Sequence, residues 1–176
     1  KLHPHSLSLR EKDLTDDAYE SLAKKVFDLC KREDITFFLH TKIEIARKIG
    51  CQNIHLSIPV LKGLSETEKK ALTEDFCEIS ISCHSMEDVE IAMAGGATQI
   101  ILGTSFETEC KKGVLGKGVE FVRERCQKYP LPVYAIGGIN EYNIGNVRAA
   151  GAAGACVMSG AMKCSDISAY FSSFEK

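Results

Sequence analysis

A serine and a histidine follow one apolar run of the chain, at a place where side chains can transfer protons. Residues 79–81 form the end of the run, and Ser82 and His84 come directly after it, before Ser85. An imidazole titrates near neutral pH, so His84 is a candidate general acid or base. A single histidine is more often structural than catalytic, and the residue type alone leaves both interpretations open.

Two glycine-containing turns follow the last two apolar runs of the chain. Glycine lets a ligand approach the backbone closely, and free backbone N–H groups bind phosphate oxygens. The alternative is that these glycines only turn the chain, but the last two strand ends are where barrels bind phosphate, and this position favours binding. The residues concerned are Gly137, Gly138, Met158, Ser159 and Gly160.

Cationic side chains stand at two further places. Arg10 and Lys12 are two residues apart after the first apolar run, so they point to the same side and could bind a carboxylate or a second phosphate. Solvated charge explains them equally well. Lys111 lies in the segment 107–118, whose composition is typical of a mobile loop. Acids and imidazoles are too few at the strand ends to predict a metal site.

Strand and helix patterns alternate along the chain and would position these groups. We predict seven strands, each followed by a helix, with Thr15, Ser65 and Ser85 as helix N-caps. Continuous apolar strands in such an alternation indicate a parallel sheet covered by helices. The predicted strands are residues 6–9, 35–39, 53–56, 78–81, 99–102, 132–136 and 155–158.

Seven units are one fewer than a closed barrel needs. Either the sheet is open and doubly wound, or a first strand and helix precede Lys1. The chain starts abruptly, without methionine, which favours the second interpretation. We therefore predict one α/β domain over residues 1–176, a (β/α)8 TIM barrel that is incomplete at its N-terminal end.

The charge and hydropathy of the chain argue against nucleic-acid and membrane partners. The 176 residues include 22 basic and 24 acidic side chains, a balance that gives no field to attract nucleic acid or an anionic bilayer. No apolar run approaches the roughly 20 residues of a membrane span, and no signal sequence opens the chain. We expect a cytoplasmic protein, with a homo-oligomer among the open options.

The eight cysteines predict reduced thiols rather than disulfides or a metal site. No pair has Cys-x-x-Cys spacing, and most cysteines lie in apolar runs, where a thiol packs as a small hydrophobic group. Such thiols stay reduced in the cytosol. Cys83 and Cys110 flank polar strand ends, so we expect these two to be the reactive ones.

Five short motifs occur in a fixed order along the chain: LREKD at 9–13, IHL at 54–56, SCHS at 82–85, AIGGI at 135–139 and MSG at 158–160. In this combination the chain resembles the superfamily of thiamine phosphate synthase and its TenI-type relatives over nearly its whole length. The resemblance implies a (β/α)8 barrel whose first strand and helix lie before Leu2.

Departures from the synthase pattern separate two branches of that superfamily. Synthases carry an Asn-Asp pair after the third barrel strand and an Asp after the fourth, which hold Mg²⁺ and a pyrimidine diphosphate. Here the pair is His40 and Thr41, and the second position falls near Pro59 and Val60. Mg²⁺ needs anionic oxygen ligands, so their loss should cripple synthase chemistry. The segment 106–113 looks like the loop of TenI-type thiazole tautomerases.

The resemblance therefore predicts an isomerase that aromatises a tautomer of 2-carboxy-4-methylthiazole ethyl phosphate. His84 would move the proton, and neither metal nor organic cofactor would be needed. The phosphate would bind at the glycine turns, Thr108 and Lys111 would flank the thiazole, and Ser82, Arg10 and Lys12 would line the remaining pocket.

Two alternatives stay open. The first is a thiamine phosphate synthase, which joins thiazole phosphate to the pyrimidine diphosphate and would need Mg²⁺. The second is a TenI-like regulatory protein that binds the phosphorylated thiazole without turnover. His84 alone does not choose between the branches, because synthases often carry a histidine at this position.

Overall fold

Seven parallel strands form one sheet in which each strand pairs with the next one along the chain. The computed structural model describes residues 4–103 and 118–175. Every predicted strand is present, with ends that differ from the predicted ones by up to two residues. The strands are β1 (Ser6–Leu9), β2 (Thr36–His40), β3 (Asn53–Ser57), β4 (Glu78–Cys83), β5 (Gln99–Leu102), β6 (Val133–Ile136) and β7 (Gly154–Cys156).

The strand order decides between the two architectures that the sequence left open. A doubly wound sheet reverses its strand order part-way, whereas this sheet runs from β1 to β7 without a reversal. Seven parallel strands curl into part of a barrel, with helices between them. The TIM-barrel prediction is therefore confirmed.

Helices follow every strand of the sheet, as the alternation predicted. Pro59 lies in the first turn of the helix after β3, where its missing N–H costs no hydrogen bond. The helix directly after β7 has five residues. The helices are α1 (Asp16–Arg32), α2 (Ile43–Ile49), α3 (Ile58–Gly63), α4 (Glu66–Asp75), α5 (Met86–Ala94), α6 (Gly118–Lys128), α7 (Ile144–Ala149), α8 (Ser159–Lys163) and α9 (Ile167–Ser172).

The two faces of the sheet carry different side chains. Phe37 of β2 stacks on Phe27 of α1 at 5.5 Å, so alternate residues of this strand face the helices. Phe38 and His40 then face the concave side, where the rings of His40 and His55 lie 5.0 Å apart. The interior of a TIM barrel is normally filled by branched apolar residues, so imidazoles in this position point to a polar pocket.

The described cysteines are free thiols. Cys30 and Cys51 are buried in the hydrophobic core, as expected of small apolar groups. The prediction that Cys83 is reactive is wrong, because its side chain faces the helices and is fully buried. Burial raises the pKa of this thiol to about 12, so almost no thiolate forms at neutral pH. Cys110, the other expected reactive thiol, lies outside the described residues.

Within the described ranges, no helix is long and apolar enough to cross a membrane.

Helix α5 begins at a capping box that also fixes the backbone beside His84. The Ser85 hydroxyl accepts from the Asp88 N–H at 3.1 Å, and the Asp88 carboxylate accepts from the N–H groups of Ser85 and His84 at 3.0 and 2.7 Å. The carboxylate also favours the positive end of the helix dipole. Ser85 therefore caps α5, as its position predicted.

Replacing Ser85 by Ala should lower the free energy of unfolding by about 1 kcal/mol, because the N–H of Asp88 loses its acceptor. Urea denaturation followed by circular dichroism measures the change. Ser21→Ala, at an exposed position inside α1, is the control and should leave stability unchanged or slightly raised. Equal stability of Ser85→Ala and the parent protein would contradict the assigned cap.

Candidate functional site

The predicted site residues that the structure describes follow the carboxyl ends of parallel strands, so they lie at one end of the sheet. This is the end at which α/β barrels build their active sites. Arg10 and Lys12 follow β1, Ser82 and His84 lie at the end of β4, and the two glycine turns follow β6 and β7. Thr108 and Lys111 lie outside the described residues, so their predicted contacts with the thiazole stay predictions.

The ring of His84 lies against Gly103, a residue that we did not predict as part of the site. A Cβ atom added to Gly103 would come within 2.5 Å of Nδ1 of His84 and nearer still to Cε1. Cys83 pairs with Leu102, so the two residues are the next pair in the register of β4 and β5. Only a glycine at position 103 leaves room for the ring of His84. The sequence feature that could have indicated this role is a glycine directly after a predicted strand.

His55 and Ser82 belong to a hydrogen-bonded group inside the curled sheet. The ring of His55 is 5% exposed, and its Nδ1 lies 2.9 Å from the hydroxyl of Ser80. Its Nε2 lies 2.7 Å from the hydroxyl of Ser82. Both ring nitrogens are thus occupied by protein groups, so His55 is a packed residue. Ser82, predicted to line the pocket, is half-buried and carries this bond.

His40 lies next to this group, and its ring is held by its neighbour in the chain. The hydroxyl of Thr41 is 2.6 Å from Nδ1 of His40. Thr41 has a φ of 70°, in the left-handed region, and its N–H donates to the carbonyl of His55 at 2.9 Å. A β-branched residue rarely adopts this conformation, and such outliers cluster at functional sites.

Burial and nearby cations keep both imidazoles neutral. The pKa of His40 is lowered to about 4, first by burial and then by the positive charges of Arg10 and Lys12. The pKa of His55 is also lowered to about 4, by burial and then by His40 and Arg10. Among the described residues, neither Arg10 nor Lys12 forms a salt bridge, and both side chains are exposed. The sheet end beside β1 and β2, which we call the mouth, therefore carries the positive charges of Arg10 and Lys12, with the exposed acids Glu11 and Asp13 in the same segment.

The two glycine turns lie where the sequence placed them. Gly137 and Gly138 have φ angles of 103° and 65°, and the carbonyl of Gly138 accepts from the side chain of Asn143 at 2.8 Å. Met158 is 57% exposed and precedes α8, which begins at Ser159. Their contact with a phosphate stays a prediction.

Gly160 has a packing role in addition to its predicted one. A Cβ atom at this position would come 2.9 Å from Cζ of Tyr170 and closer to its hydroxyl oxygen. The absence of a side chain at Gly160 therefore lets α9 pack against α8, whether or not a ligand binds there.

Comparison with known proteins assigns the chain to a family. The model of the thiamine monophosphate synthase family matches residues 2–161. The chain belongs to this family. A thiamine-phosphate synthase of Coprothermobacter proteolyticus is 31% identical over 162 residues, which are 92% of this chain and 75% of that protein. One of Lysinibacillus sphaericus is 30% identical over 172 residues, covering 95% and 79%.

A solved structure supports the fold of this member of the thiamine monophosphate synthase family. The thiamine phosphate pyrophosphorylase of Pyrococcus furiosus superimposes with a TM-score of 0.83, covering 97% of this chain and 81% of that one. The two sequences are 23% identical, so the likeness establishes the common fold alone.

The Mg²⁺ that the family resemblance implies does not fit the donors at the described positions where synthases would hold it. In place of the Asn-Asp pair and the further Asp, the chain has the imidazole of His40, the hydroxyl of Thr41 and the apolar side chains of Pro59 and Val60. Mg²⁺ prefers carboxylate oxygens. Within residues 4–103 and 118–175, no group of three acidic, histidine or cysteine residues is suited to hold a metal ion.

Gly103→Ala should displace the ring of His84, because the new methyl group would overlap it. If His84 transfers a proton, kcat should fall by about tenfold or more while the fold persists. Turnover and the histidine Cε1–H signals in NMR spectra measure the two effects. Gly63→Ala is the matched control, since nothing lies within 4 Å of a Cβ there. An unchanged His84 signal would contradict this packing.

Stability should fall as the pH is lowered from about 6.5 to 4. In this pH range the imidazoles of His40 and His55 bind protons in the unfolded state but stay neutral in the folded state, where burial lowers their pKa values. Each ring should therefore lower the free energy of unfolding by about 2–3 kcal/mol at the acid end of the range. Urea denaturation across this pH range measures the slope. His55→Gln should reduce it, and His5→Gln, at an exposed ring, should not. Equal slopes in His55→Gln and the parent would contradict the assignment.

Proposed function

We propose that this protein acts on a thiazole phosphate in thiamine assembly, and that its reaction is thiamine-phosphate synthesis. The observation that carries the proposal is the identity of 30–31% with proteins named thiamine-phosphate synthase, over more than nine-tenths of the chain. This favours the transferase over the isomerase that the residues first suggested. In the reaction, the thiazole nitrogen would form a bond to the methylene carbon of the pyrimidine diphosphate, and the diphosphate would leave.

The described residues offer groups for both anions. Arg10 and Lys12 form a positive mouth at β1 and β2 that can stabilise a leaving diphosphate. The turns at Gly137 and Gly138, and at Met158, Ser159 and Gly160, would hold the phosphate of the thiazole through backbone N–H groups. Ser82 would line the pocket between them. No step is assigned to Mg²⁺, since its usual donors are missing.

A second candidate is thiazole tautomerisation, and the side chains at the mouth favour it. Residues His40, Thr41 and Val60 supply no carboxylate where a metal-bound diphosphate would need one. Tautomerisation needs neither group: one imidazole takes a proton from one carbon of the substrate and returns it to another. The exposed ring of His84, which lies against Gly103, can supply that step.

One experiment on the purified protein separates the candidates. The protein is mixed with thiazole phosphate, the pyrimidine diphosphate and Mg²⁺, and thiamine phosphate is followed by chromatography. In parallel, the non-aromatic tautomer of the carboxythiazole phosphate is given alone and its aromatisation is followed by NMR. We expect thiamine phosphate in the first assay. Aromatisation without thiamine phosphate would replace this proposal by the tautomerase, and binding without either product would favour a regulatory role.

His84→Asn tests the proton transfer within the second assay. If His84 moves the proton, aromatisation should fall by about 10²–10⁴-fold while the affinity for the product is retained. His5→Asn, at an exposed position before β1 and hence at the opposite end of the sheet, is the matched control. Aromatisation at the parent rate in His84→Asn would remove His84 from the mechanism.

A further inference from the structure

The ring of His40 is fixed in a way that leaves one nitrogen for a ligand. Nδ1 lies 2.6 Å from the hydroxyl of Thr41, and the ring lies beside that of His55 at 5.0 Å with an angle of 33°. Among the described residues, Nε2 has no hydrogen-bond partner, and it is not one of the buried atoms that lack one. Nε2 therefore has bonding capacity left for a ligand.

His40 differs from His55 in this respect, although the two rings are neighbours on the concave face. His55 has both nitrogens bonded to serine hydroxyls, so its ring serves the structure. His40 has one structural bond and one open nitrogen. A ring with one nitrogen anchored and the other open can be either a donor or an acceptor towards a ligand, but only in one fixed direction.

The charges around His40 define the ligand that its open nitrogen can meet. Arg10 is the residue after Leu9, which pairs with Leu39, so Arg10 lies beside His40 in the register of β1 and β2. Lys12 lies near enough to act on the ring. Glu11 and Asp13 are exposed, as Arg10 and Lys12 are, but only the two cations act on the ring of His40. Two cations and an imidazole suit an oxyanion.

Thr41 explains how the chain keeps this arrangement. Its left-handed φ of 70° is an unfavourable conformation for a β-branched residue. The N–H bond to the carbonyl of His55 and the hydroxyl contact with His40 hold it there. The local backbone is thus strained in the conformation that fixes the ring of His40.

We propose that His40 contacts an oxyanion of the ligand directly through Nε2, beside Arg10 and Lys12, where a metal-dependent site would carry carboxylates. This inference deepens the proposed function and rests on its anionic ligand. Either a diphosphate or a carboxylate would satisfy the same three groups. The site would then bind its anion without a divalent cation, and His40 would determine which anion is accepted.

Calorimetric titration with inorganic pyrophosphate in EDTA tests this proposal without any turnover. The parent protein should bind, and His40→Leu should bind about tenfold or more weakly, because a hydrogen bond to a charged group is lost. His40→Gln keeps an N–H donor and should recover part of the affinity. His5→Leu is the control and should bind like the parent. Parent-like binding by His40→Leu, or binding by the parent only with Mg²⁺, would overturn the proposal.

A second anion and a double variant test the proposal further. Malonate in place of pyrophosphate reports whether the site takes carboxylates, and tighter binding of either anion by the parent than by His40→Leu supports the proposal. Thr41→Asp with Val60→Asp restores acids, and Asp tolerates the left-handed conformation. This double variant should bind pyrophosphate weakly in EDTA and recover with Mg²⁺. If its binding in EDTA equals that of the parent, the mouth is not the anion site and the proposal fails.

The experiments distinguish a failure of the anion-site proposal from a failure of the proposed function. If pyrophosphate binding depends on His40 while neither thiamine phosphate nor the aromatic thiazole is formed, the anion site stands and the proposed reaction fails. If either reaction proceeds and His40→Leu binds pyrophosphate like the parent, the reaction stands and the anion site fails. Urea denaturation of each variant checks that the protein is folded.

Discussion

The parallel ladder from β1 to β7 is the constraint on which the rest of this structure depends. It gives every strand the same direction, so all the segments that follow strands meet at one end. It also fixes the alternation that sends Phe37 and Leu39 to the helices and His40 to the concave face. The apolar face supplies the packing energy, because residues such as Leu39, Ile54 and Ile81 are fully buried there. The opposite face can carry polar groups without weakening that core, provided that their hydrogen bonds are satisfied.

The alternation of strands and helices could be predicted from the sequence because each strand is a short apolar run between turn or cap residues. Ser65 and Ser85 each begin a helix as their position predicted, because a capping box is a local interaction between residues three apart. The position of Gly50 in the left-handed conformation at the end of α2 is local in the same way. Pro59 is compatible with α3 because the first turn of a helix tolerates proline.

The site was less predictable, because its parts meet only across strands. Cys83 follows polar residues in sequence but faces the helices, and alternation along β4 rather than proximity to His84 decides its chemistry. The role of Gly103 can be recognised only from the register of β4 and β5, which places it beside His84. The pairing of His40 with His55 likewise depends on the register of β2 and β3, which no local pattern encodes. The relatives are named synthases, whereas His40 and Thr41 lack the acid that a bound cation needs.

The close packing of Tyr170 against Gly160 has an evolutionary consequence. Any side chain at position 160 would meet the phenol of Tyr170, so a substitution there requires residue 170 to move or to become smaller. The effect of a change at position 160 therefore depends on the residue at position 170. A lineage that altered its ligand specificity at this turn would also have to change the packing of the helix that carries Tyr170, which ties the history of the turn to that of the last helix.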